Sequence, residues 1–255
     1  MKKTVAIRVD GRRVEAELES PLLPALLREG FDIPTLCYHE AVSPYGACRL
    51  CLVEINQKGW DDDWWKLTTS CNFPVLDGLT VRTDSEKVKK HRRLVIELIM
   101  ARAPGAPQVR EMAERLGVED VRHRPQEGEL CIMCGLCARV CDEVIGAQVL
   151  TFSGRGGLKD MGTPYAEASE KCIGCGACEA VCPTGAISMT ESNGRRRIWH
   201  RDFEMVACTK CGRSYITVEQ MRHLVGRTDL DESYFELCDE CSRLAVAEKM
   251  LENVL

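Results

Sequence analysis

The most informative stretch of the sequence is CIGCGACEAVCP, residues 172–183, which places four cysteines and a proline within twelve positions. Cysteines two residues apart are badly placed to bridge within the narrow Cα separations of a disulfide, so this density indicates metal binding. The spacing C-x2-C-x2-C-x3-C-P is typical of a 4Fe-4S cluster, and its fourth cysteine ligates the other cluster of a two-cluster module. The stretch therefore predicts a second run of the same kind.

That second run is CIMCGLCARVCD, residues 131–142, with the same spacing. We expect crossed ligation, in which each cluster takes three cysteines from one run and its fourth from the other. Zinc needs only four ligands and does not account for eight thiols in a double repeat. The ligands predicted for the first cluster are Cys131, Cys134, Cys137 and Cys182, and those for the second are Cys141, Cys172, Cys175 and Cys178.

A third group, in the N-terminal part of the chain, has the wider spacing C-x10-C-x2-C-x19-C. Its first gap is longer than that of the plant-type 2Fe-2S pattern C-x4-C-x2-C, so the spacing alone leaves zinc as an alternative. The elements around it favour the iron cluster, and we predict a 2Fe-2S site. Its ligands would be Cys37, Cys48, Cys51 and Cys71.

The elements that must position this site read as a β-grasp domain. Residues 4–18 alternate apolar and polar side chains on both sides of Asp10-Gly11, which predicts a hairpin with a type I′ turn. A short helix follows, with Ser20 as N-cap, Pro21 at the first helical position and Gly30 at the end. A strand at residues 79–83 would close the sheet.

The segment PTLCYHEAVSPYGACRLCLVE resembles the N-terminal 2Fe-2S domain of a family of iron-sulfur subunits. This family includes the large iron-sulfur subunit of respiratory complex I, the diaphorase subunit of NAD-reducing nickel-iron hydrogenases, iron-only hydrogenases and NAD-linked formate dehydrogenases. The resemblance continues through CARVCDEVIGAQVLTFSGRGG and GTPYAEASEKCIGCGACEAVCPTGAI, and covers roughly residues 1–190. It implies an electron-transfer subunit placed between a flavin-containing, NAD(P)H-oxidising subunit and a catalytic subunit.

The chain departs from those relatives between the two modules. They often hold a further 4Fe-4S cluster there with one histidine and three cysteines, whereas residues 91–129 contain His91 and His123 but no cysteine. We therefore expect this extra cluster to be absent and both histidines to be surface residues. The segment predicts two helices around a Pro-Gly-Ala-Pro break.

The last four cysteines form two C-x2-C pairs separated by twenty-six residues, a pattern typical of one tetrahedral thiolate site. Zinc is the predicted occupant, and a single iron or a third iron-sulfur cluster is the redox alternative, because sulfur ligands alone do not separate the two metals. Helices are predicted between the pairs, at residues 217–226, and at the C-terminus, residues 243–255. The ligands would be Cys208, Cys211, Cys238 and Cys241.

Composition limits the remaining possibilities. The 255 residues include 39 acidic and 34 basic side chains, and neither a signal peptide nor an apolar run long enough to span a membrane stands out. Sixteen cysteines without a secretory signal favour a reducing compartment, so we expect a soluble, cytoplasmic protein without membrane insertion. The basic stretch GRRRIWHR, residues 194–201, reads as solvated charge or a docking surface.

These observations predict an α+β protein with four parts. They are a β-grasp 2Fe-2S ferredoxin-like domain at 1–83, a helical linker at 84–127, a bacterial-type two 4Fe-4S ferredoxin domain at 128–192 and a four-cysteine zinc-ribbon-like domain with a terminal helix at 193–255. No G-x-G-x-x-G follows a strand, the glycine-rich SGRGG at 153–157 reads as a loop, and every cysteine is assigned.

The predicted function is single-electron transfer through one 2Fe-2S and two 4Fe-4S clusters, not catalysis by the chain alone. Because the chain ends soon after the second cluster, we expect a hydrogenase-type partner, with an NAD-linked formate dehydrogenase or another complex I-like oxidoreductase as the alternative. Ferredoxin is a further candidate partner, and electron bifurcation is compatible with the clusters without being predicted by them. Two other classes stay open: a redox enzyme acting alone, and a zinc-dependent nucleic-acid-binding module using Arg195, Arg196 and Arg197. The acidic balance disfavours nucleic acid.

Overall fold

The computed structural model describes residues 3–61 and 63–252, and these form two compact units. The first unit comprises the described residues up to Val144 together with Val181–Ala186. The second unit comprises Ile145–Ala180 and the described residues from Ile187 onward. The second cysteine run is therefore divided, because Cys172, Cys175 and Cys178 belong to the second unit and Cys182 belongs to the first.

The first unit is built on a five-stranded sheet with the order β2-β1-β5-β3-β4. The hairpin β1–β2 has the predicted turn, with Asp10 and Gly11 both at positive φ (47° and 81°). The last strand, β5, lies in the centre of the sheet, parallel to β1 and antiparallel to β3. The strands are Thr4–Val9 (β1), Arg12–Glu17 (β2), Leu52–Gln57 (β3), Lys66–Thr69 (β4) and Leu79–Arg82 (β5).

Helix α1 (Leu22–Arg28) packs on this sheet with Leu22, Leu23 and Leu26 in the main hydrophobic core. The prediction that Ser20 caps this helix is wrong, because the Ser20 hydroxyl donates instead to the Glu17 carbonyl (2.7 Å). Pro21 occupies the N-cap position, and the first helical amides donate to backbone carbonyls of the neighbouring loop, Leu22 to Phe73 and Leu23 to Ser70 (both 2.9 Å). A side-chain cap is not needed when backbone carbonyls already accept from these amides.

The predicted linker forms two helices, α2 (Glu86–Arg102) and α3 (Pro107–Arg115). The Ser85 hydroxyl caps α2 by accepting from the Val88 amide (3.2 Å) and donates to the buried Glu54 carboxylate (2.6 Å). A single guanidinium, that of Arg92, fixes α2 to the sheet by donating to the Leu52 carbonyl (2.7 Å). The helical linker is thus attached directly to the domain that carries the first cysteine group.

The second unit contains an antiparallel sheet that the sequence analysis did not predict, with the order β11-β10-β9-β8. Its strands are Met189–Ser192 (β8), Arg195–Ile198 (β9), Arg201–Ala207 (β10) and Ser214–Thr217 (β11), and a small hairpin of Thr151–Ser153 (β6) and Asp160–Gly162 (β7) precedes them. Phe203 on β10 is completely buried.

The described residues contain four further α-helices, besides short 3-10 and π-helical turns. Two are short and lie within the cysteine runs, and two lie near the C-terminus at the predicted places. The terminal one begins four residues earlier than predicted, and residues 253–255 of that prediction lie outside the described residues. None of the described helices combines the length and apolar character that crossing a bilayer requires. The four are Leu136–Arg139 (α4), Ala177–Ala180 (α5), Val218–Val225 (α6) and Asp239–Glu252 (α7).

Candidate metal centres

The first cysteine group lies in the core of the first unit. Cys37, Cys48, Cys51 and Cys71 are between 1 and 5 % exposed, and all are free thiols. Backbone amides donate to two of the sulfurs, Leu36 to Cys48 (3.5 Å) and Cys48 to Cys37 (3.3 Å). Amide donors directed at buried sulfur suit thiolates more than thiols, since they stabilise negative charge. The environment therefore fits a cluster ligated by four thiolates.

The four thiols of this group form two pairs. A hydrogen bond from the Cys48 thiol lowers the pKa of Cys37 to about 6, and one from the Cys71 thiol lowers the pKa of Cys51 to about 7. The same hydrogen bonds raise the pKa of Cys48 and Cys71, because each proton is held between two sulfurs. Each iron of a 2Fe-2S cluster takes two thiolate ligands. The pairing of the first cysteine with the second, and of the third with the fourth, fits this requirement.

The first 4Fe-4S motif follows the linker in the same unit. Met133 and Gly135, at positive φ (55° and 71°), wrap the loop, and the Met133 amide donates to Cys131 Sγ (3.4 Å). Cys134 and Cys137 are 8 and 7 % exposed. Burial is the main cause that raises the pKa of Cys134 to about 11.

Cys182, from the second run, lies near the first run. Its negative charge, together with burial, contributes to the raised pKa values of Cys131 and Cys134, and Val181–Ala186 belongs to the same compact unit as those residues. This placement is the one that crossed ligation requires. Cys141 belongs to the first unit and Cys172, Cys175 and Cys178 to the second, so the assignment of Cys141 to the second cluster stays a prediction.

The loop of the second 4Fe-4S motif is held by the sheet that the sequence analysis missed. Gly174 has φ of +65°, and a Cβ there would lie 2.7 Å from the ring of Phe203. Arg196 donates to the Gly174 carbonyl (2.7 Å), and the Thr217 hydroxyl donates to the Ile173 carbonyl (2.5 Å). The sheet thereby fixes the backbone between Cys172 and Cys175.

Arg196 also corrects the interpretation of the basic stretch. Its side chain is 8 % exposed and pairs with Glu191 (2.7 Å), so it is neither solvated nor available to an external partner. Arg201 makes a similar internal contact, because its guanidinium donates to the carbonyls of Ser169, Glu170 and Cys172 (3.1, 2.9 and 2.7 Å). Solvated charge was inferred from local composition, which does not reveal that alternate residues of a strand face inward.

The C-terminal cysteines form a compact four-sulfur group in the second unit. The sulfurs of Cys208, Cys211, Cys238 and Cys241 all lie within 4.8 Å of one another. The first pair lies in the turn between β10 and β11, and the second lies at the beginning of α7. Backbone amides, with that of Cys238 first, lower the pKa of Cys208 to about 6, whereas burial raises the pKa of Cys241 to about 12.

The sequence matches two iron-sulfur families. Residues 2–86 match the 2Fe-2S iron-sulfur cluster binding domain, and residues 168–188 match the 4Fe-4S binding domain. The predicted presence of both kinds of domain is therefore confirmed. The chain is an iron-sulfur protein with a mixed α/β fold.

Its relatives are subunits of NADH-oxidising complexes. The chain is 31 % identical over 221 residues to the mitochondrial NADH-ubiquinone oxidoreductase 78 kDa subunit of Candida albicans, a match covering 76 % of this chain and 30 % of that protein. It is 30 % identical over 219 residues to the NADH-ubiquinone oxidoreductase 75 kDa subunit of Reclinomonas americana, covering 76 % and 31 %. The chain thus spans less than a third of the length of these relatives.

A solved structure shows a similar fold. The crystal structure of NAD+-reducing [NiFe]-hydrogenase in the H2-reduced state aligns with a TM-score of 0.54 and 26 % identity, covering 62 % of this chain and 74 % of that chain. The resemblance inferred from the cysteine motifs is confirmed by these findings. The chain is an iron-sulfur electron-transfer protein related to the complex I 75/78 kDa subunit and to the NAD+-reducing hydrogenase.

Proposed function

We propose that the chain is a relay subunit with one 2Fe-2S and two 4Fe-4S clusters, carrying single electrons between a flavin-containing, NAD(P)H-oxidising subunit and a low-potential catalytic subunit. When bound, such clusters accept and donate one electron at a time at potentials set by their ligands and surroundings. The proposed ligands are the twelve cysteines assigned from the three iron-sulfur motifs.

The observation that carries this proposal is the direct contact between the first two sites. Arg139, two residues after Cys137 on α4, donates to the carbonyl of Cys37 (3.0 Å) and to that of Ser43. The Ser43 amide donates to the Glu143 carboxylate (2.6 Å). The wide loop between Cys37 and Cys48 is therefore held by the helical segment of the first 4Fe-4S motif, which brings the two ligand sets together.

Electrostatics supports the same proximity. The charge of Cys37 contributes to the raised pKa of Cys134, so ligands of the two proposed clusters influence each other through the protein. Arg139 carries a positive charge beside this junction and contributes to the lowered pKa of Cys37. A cation close to two anionic clusters stabilises the added electron on either of them.

For the C-terminal group we propose a structural zinc ion. With zinc–sulfur bonds of about 2.3 Å, a tetrahedral site separates its sulfurs by about 3.8 Å. The Cys211 and Cys238 sulfurs are 3.8 Å apart, and the whole group lies within 4.8 Å, which favours a single ion over a larger cluster. A single iron would fit the same thiolates and is the alternative.

The identity of the partners rests on the relatives. A hydrogenase is the preferred catalytic partner because the NAD+-reducing [NiFe]-hydrogenase chain is matched over most of its length. An NAD-linked formate dehydrogenase or another complex I-like oxidoreductase is the second candidate, favoured by the identity with the 75/78 kDa subunits. We propose a cytoplasmic complex without membrane insertion of this chain.

The test begins with protein purified without oxygen from its native host by an affinity tag. We expect about ten irons, two in one cluster and four in each of two others, one zinc and a co-purifying flavoprotein. NADH or NADPH should bleach the visible absorbance of the complex but not that of the isolated chain. Colourless protein, or reduction of the isolated chain by pyridine nucleotide, would contradict the proposal.

A further inference from the structure

Two tight turns in the sheet of the second unit differ in an informative way. The turn between β8 and β9 is Asn193-Gly194, the residue pair favoured for a type I′ hairpin, with φ of 51° and 70°. The turn between β9 and β10 is Trp199-His200, with φ of 50° and 63°. A bulky residue at positive φ is strained, and such strain persists where the surrounding structure requires it. The tryptophan is therefore in a position that local preference does not explain.

The side chain of this tryptophan supplies an explanation. The Trp199 indole N–H donates to Cys178 Sγ, with 3.3 Å between nitrogen and sulfur. Cys178 is 9 % exposed, and its donor Trp199 is half-buried. Arg201, the residue that begins β10, binds three carbonyls of the same cysteine loop, so the turn and the loop are held at a fixed separation.

We propose that Trp199 is a positioning residue that raises the reduction potential of the second 4Fe-4S cluster through its hydrogen bond to the Cys178 sulfur. This inference rests on the proposed function, in which Cys178 ligates that cluster. Reduction adds one electron to the cluster and increases the negative charge on its thiolate sulfurs. An N–H donor stabilises the reduced state more than the oxidised state, so the donor makes reduction easier.

The test substitutes Trp199→Phe, which keeps an aromatic ring in the turn and removes the N–H donor together with part of the ring volume. The full chain is reduced stepwise without oxygen while EPR monitors each cluster, and the signal lost in Cys175→Ser identifies the cluster of interest. At a fixed potential we expect the ratio of reduced to oxidised cluster to fall by roughly three- to tenfold. For a one-electron couple this corresponds to a midpoint about 30 to 60 mV more negative.

Two matched controls should leave this midpoint unchanged. Trp64→Phe removes an indole donor from an exposed position in the first unit, and His200→Asn changes the same turn without touching the sulfur. An unchanged midpoint in Trp199→Phe, with its EPR signal intact, would overturn the inference and leave the proposed function standing. A missing signal in the wild type would instead overturn the proposed function.

A second measurement applies even if Trp199→Phe fails to assemble the cluster. In wild-type protein grown with tryptophan labelled with heavy nitrogen, pulsed EPR of the reduced second cluster should show a hyperfine coupling to an indole nitrogen. That coupling should be retained in Trp64→Phe. Its absence from the wild-type spectrum would overturn the inference.

Discussion

At the scale of single residues, two features of Gly174 in the loop of the second 4Fe-4S motif disfavour any side chain: its positive φ and its closeness to the Phe203 ring. Gly174 combines a left-handed backbone with direct contact to the buried ring of Phe203. Gly156, in the same unit, has a similar φ (+58°) but open space around its Cβ position. Comparing the two separates the effect of backbone strain from the effect of the clash.

We predict that Gly174→Ala lowers the free energy of unfolding by about 2–4 kcal/mol, because roughly 1–2 kcal/mol of left-handed strain adds to an overpacking penalty. Gly156→Ala should cost only the strain, about 1–2 kcal/mol. Guanidinium titrations of anoxic holoprotein followed by circular dichroism give both values. Equal penalties for the two variants would show that the Phe203 ring moves aside.

The C-terminal sulfur group allows a second prediction at this scale. Cys238 is fully buried, and replacing its thiolate with a hydroxyl removes one of four ligands from the proposed zinc site. We expect Cys238→Ser to lose the single zinc while the iron content stays the same, and α7 to become sensitive to protease. The neighbouring Ser242→Ala should retain zinc, as measured by elemental analysis. Loss of zinc from both variants, or from neither, would count against the site.

At the scale of elements, local signals predict part of the structure, although the hairpin signal at Asn193-Gly194 in the second unit was overlooked. The Asp10-Gly11 hairpin and the two linker helices follow from turn chemistry and helical periodicity, and both are present. The sheet of the second unit was missed because β9 reads RRRI, in which a buried arginine looks like a solvated one. The Trp199-His200 turn has no glycine or asparagine, so only the tertiary contact with Cys178 reveals its purpose.

Helix α2 is joined to the loop that follows α3 by the pair Glu97–Arg122, which makes stability depend on pH. The nearly buried Glu97 carboxylate accepts from the Arg122 backbone amide (2.8 Å) and from its guanidinium (2.6–3.1 Å). These hydrogen bonds lower the pKa of Glu97 from 4.5 to about 2. A carboxyl whose pKa is lower in the folded state stabilises the fold above its unfolded pKa and loses that contribution in acid.

We therefore predict that Glu97→Gln lowers the denaturation midpoint by a constant amount at neutral pH, and that the difference from wild type shrinks as pH falls from about 4.5 toward about 2. Glu111→Gln, an exposed acid on α3, should show little difference at any pH. Chemical denaturation followed by circular dichroism across this range measures both. A Glu97→Gln penalty that persists undiminished at the acid end would contradict the assignment.

At the scale of the whole molecule, the return of Val181–Ala186 to the first unit fits the prediction that the ligands of the two 4Fe-4S clusters alternate between the two cysteine runs. The spacing of the motif could predict that Cys182 leaves its own run, because crossed ligation is a property of the pattern. It could not predict which compact unit each run would join, since that depends on contacts far apart in the chain.

Crossed ligation predicts which variants share a defect. Cys182→Ser should abolish the same EPR signal as Cys134→Ser, although fewer residues separate Cys182 from Cys178 in sequence. Cys178→Ser should abolish the other 4Fe-4S signal and spare this one. Spectra of the three variants, reduced identically without oxygen, decide the matter. If Cys182→Ser and Cys178→Ser lose the same signal, the ligands are not crossed.

The three carbonyl contacts of Arg201 bear on how the proposed second cluster would be assembled. They involve only protein atoms, so the beginning of the loop at Ser169, Glu170 and Cys172 can take its shape before any iron arrives. A scaffold protein that delivers a preformed 4Fe-4S cluster would then find this part of the binding loop already ordered. Little conformational entropy of the loop would remain to be lost when the cluster is inserted. The rate of cluster insertion at this site should consequently be limited by delivery of the 4Fe-4S cluster and not by folding of the loop around it.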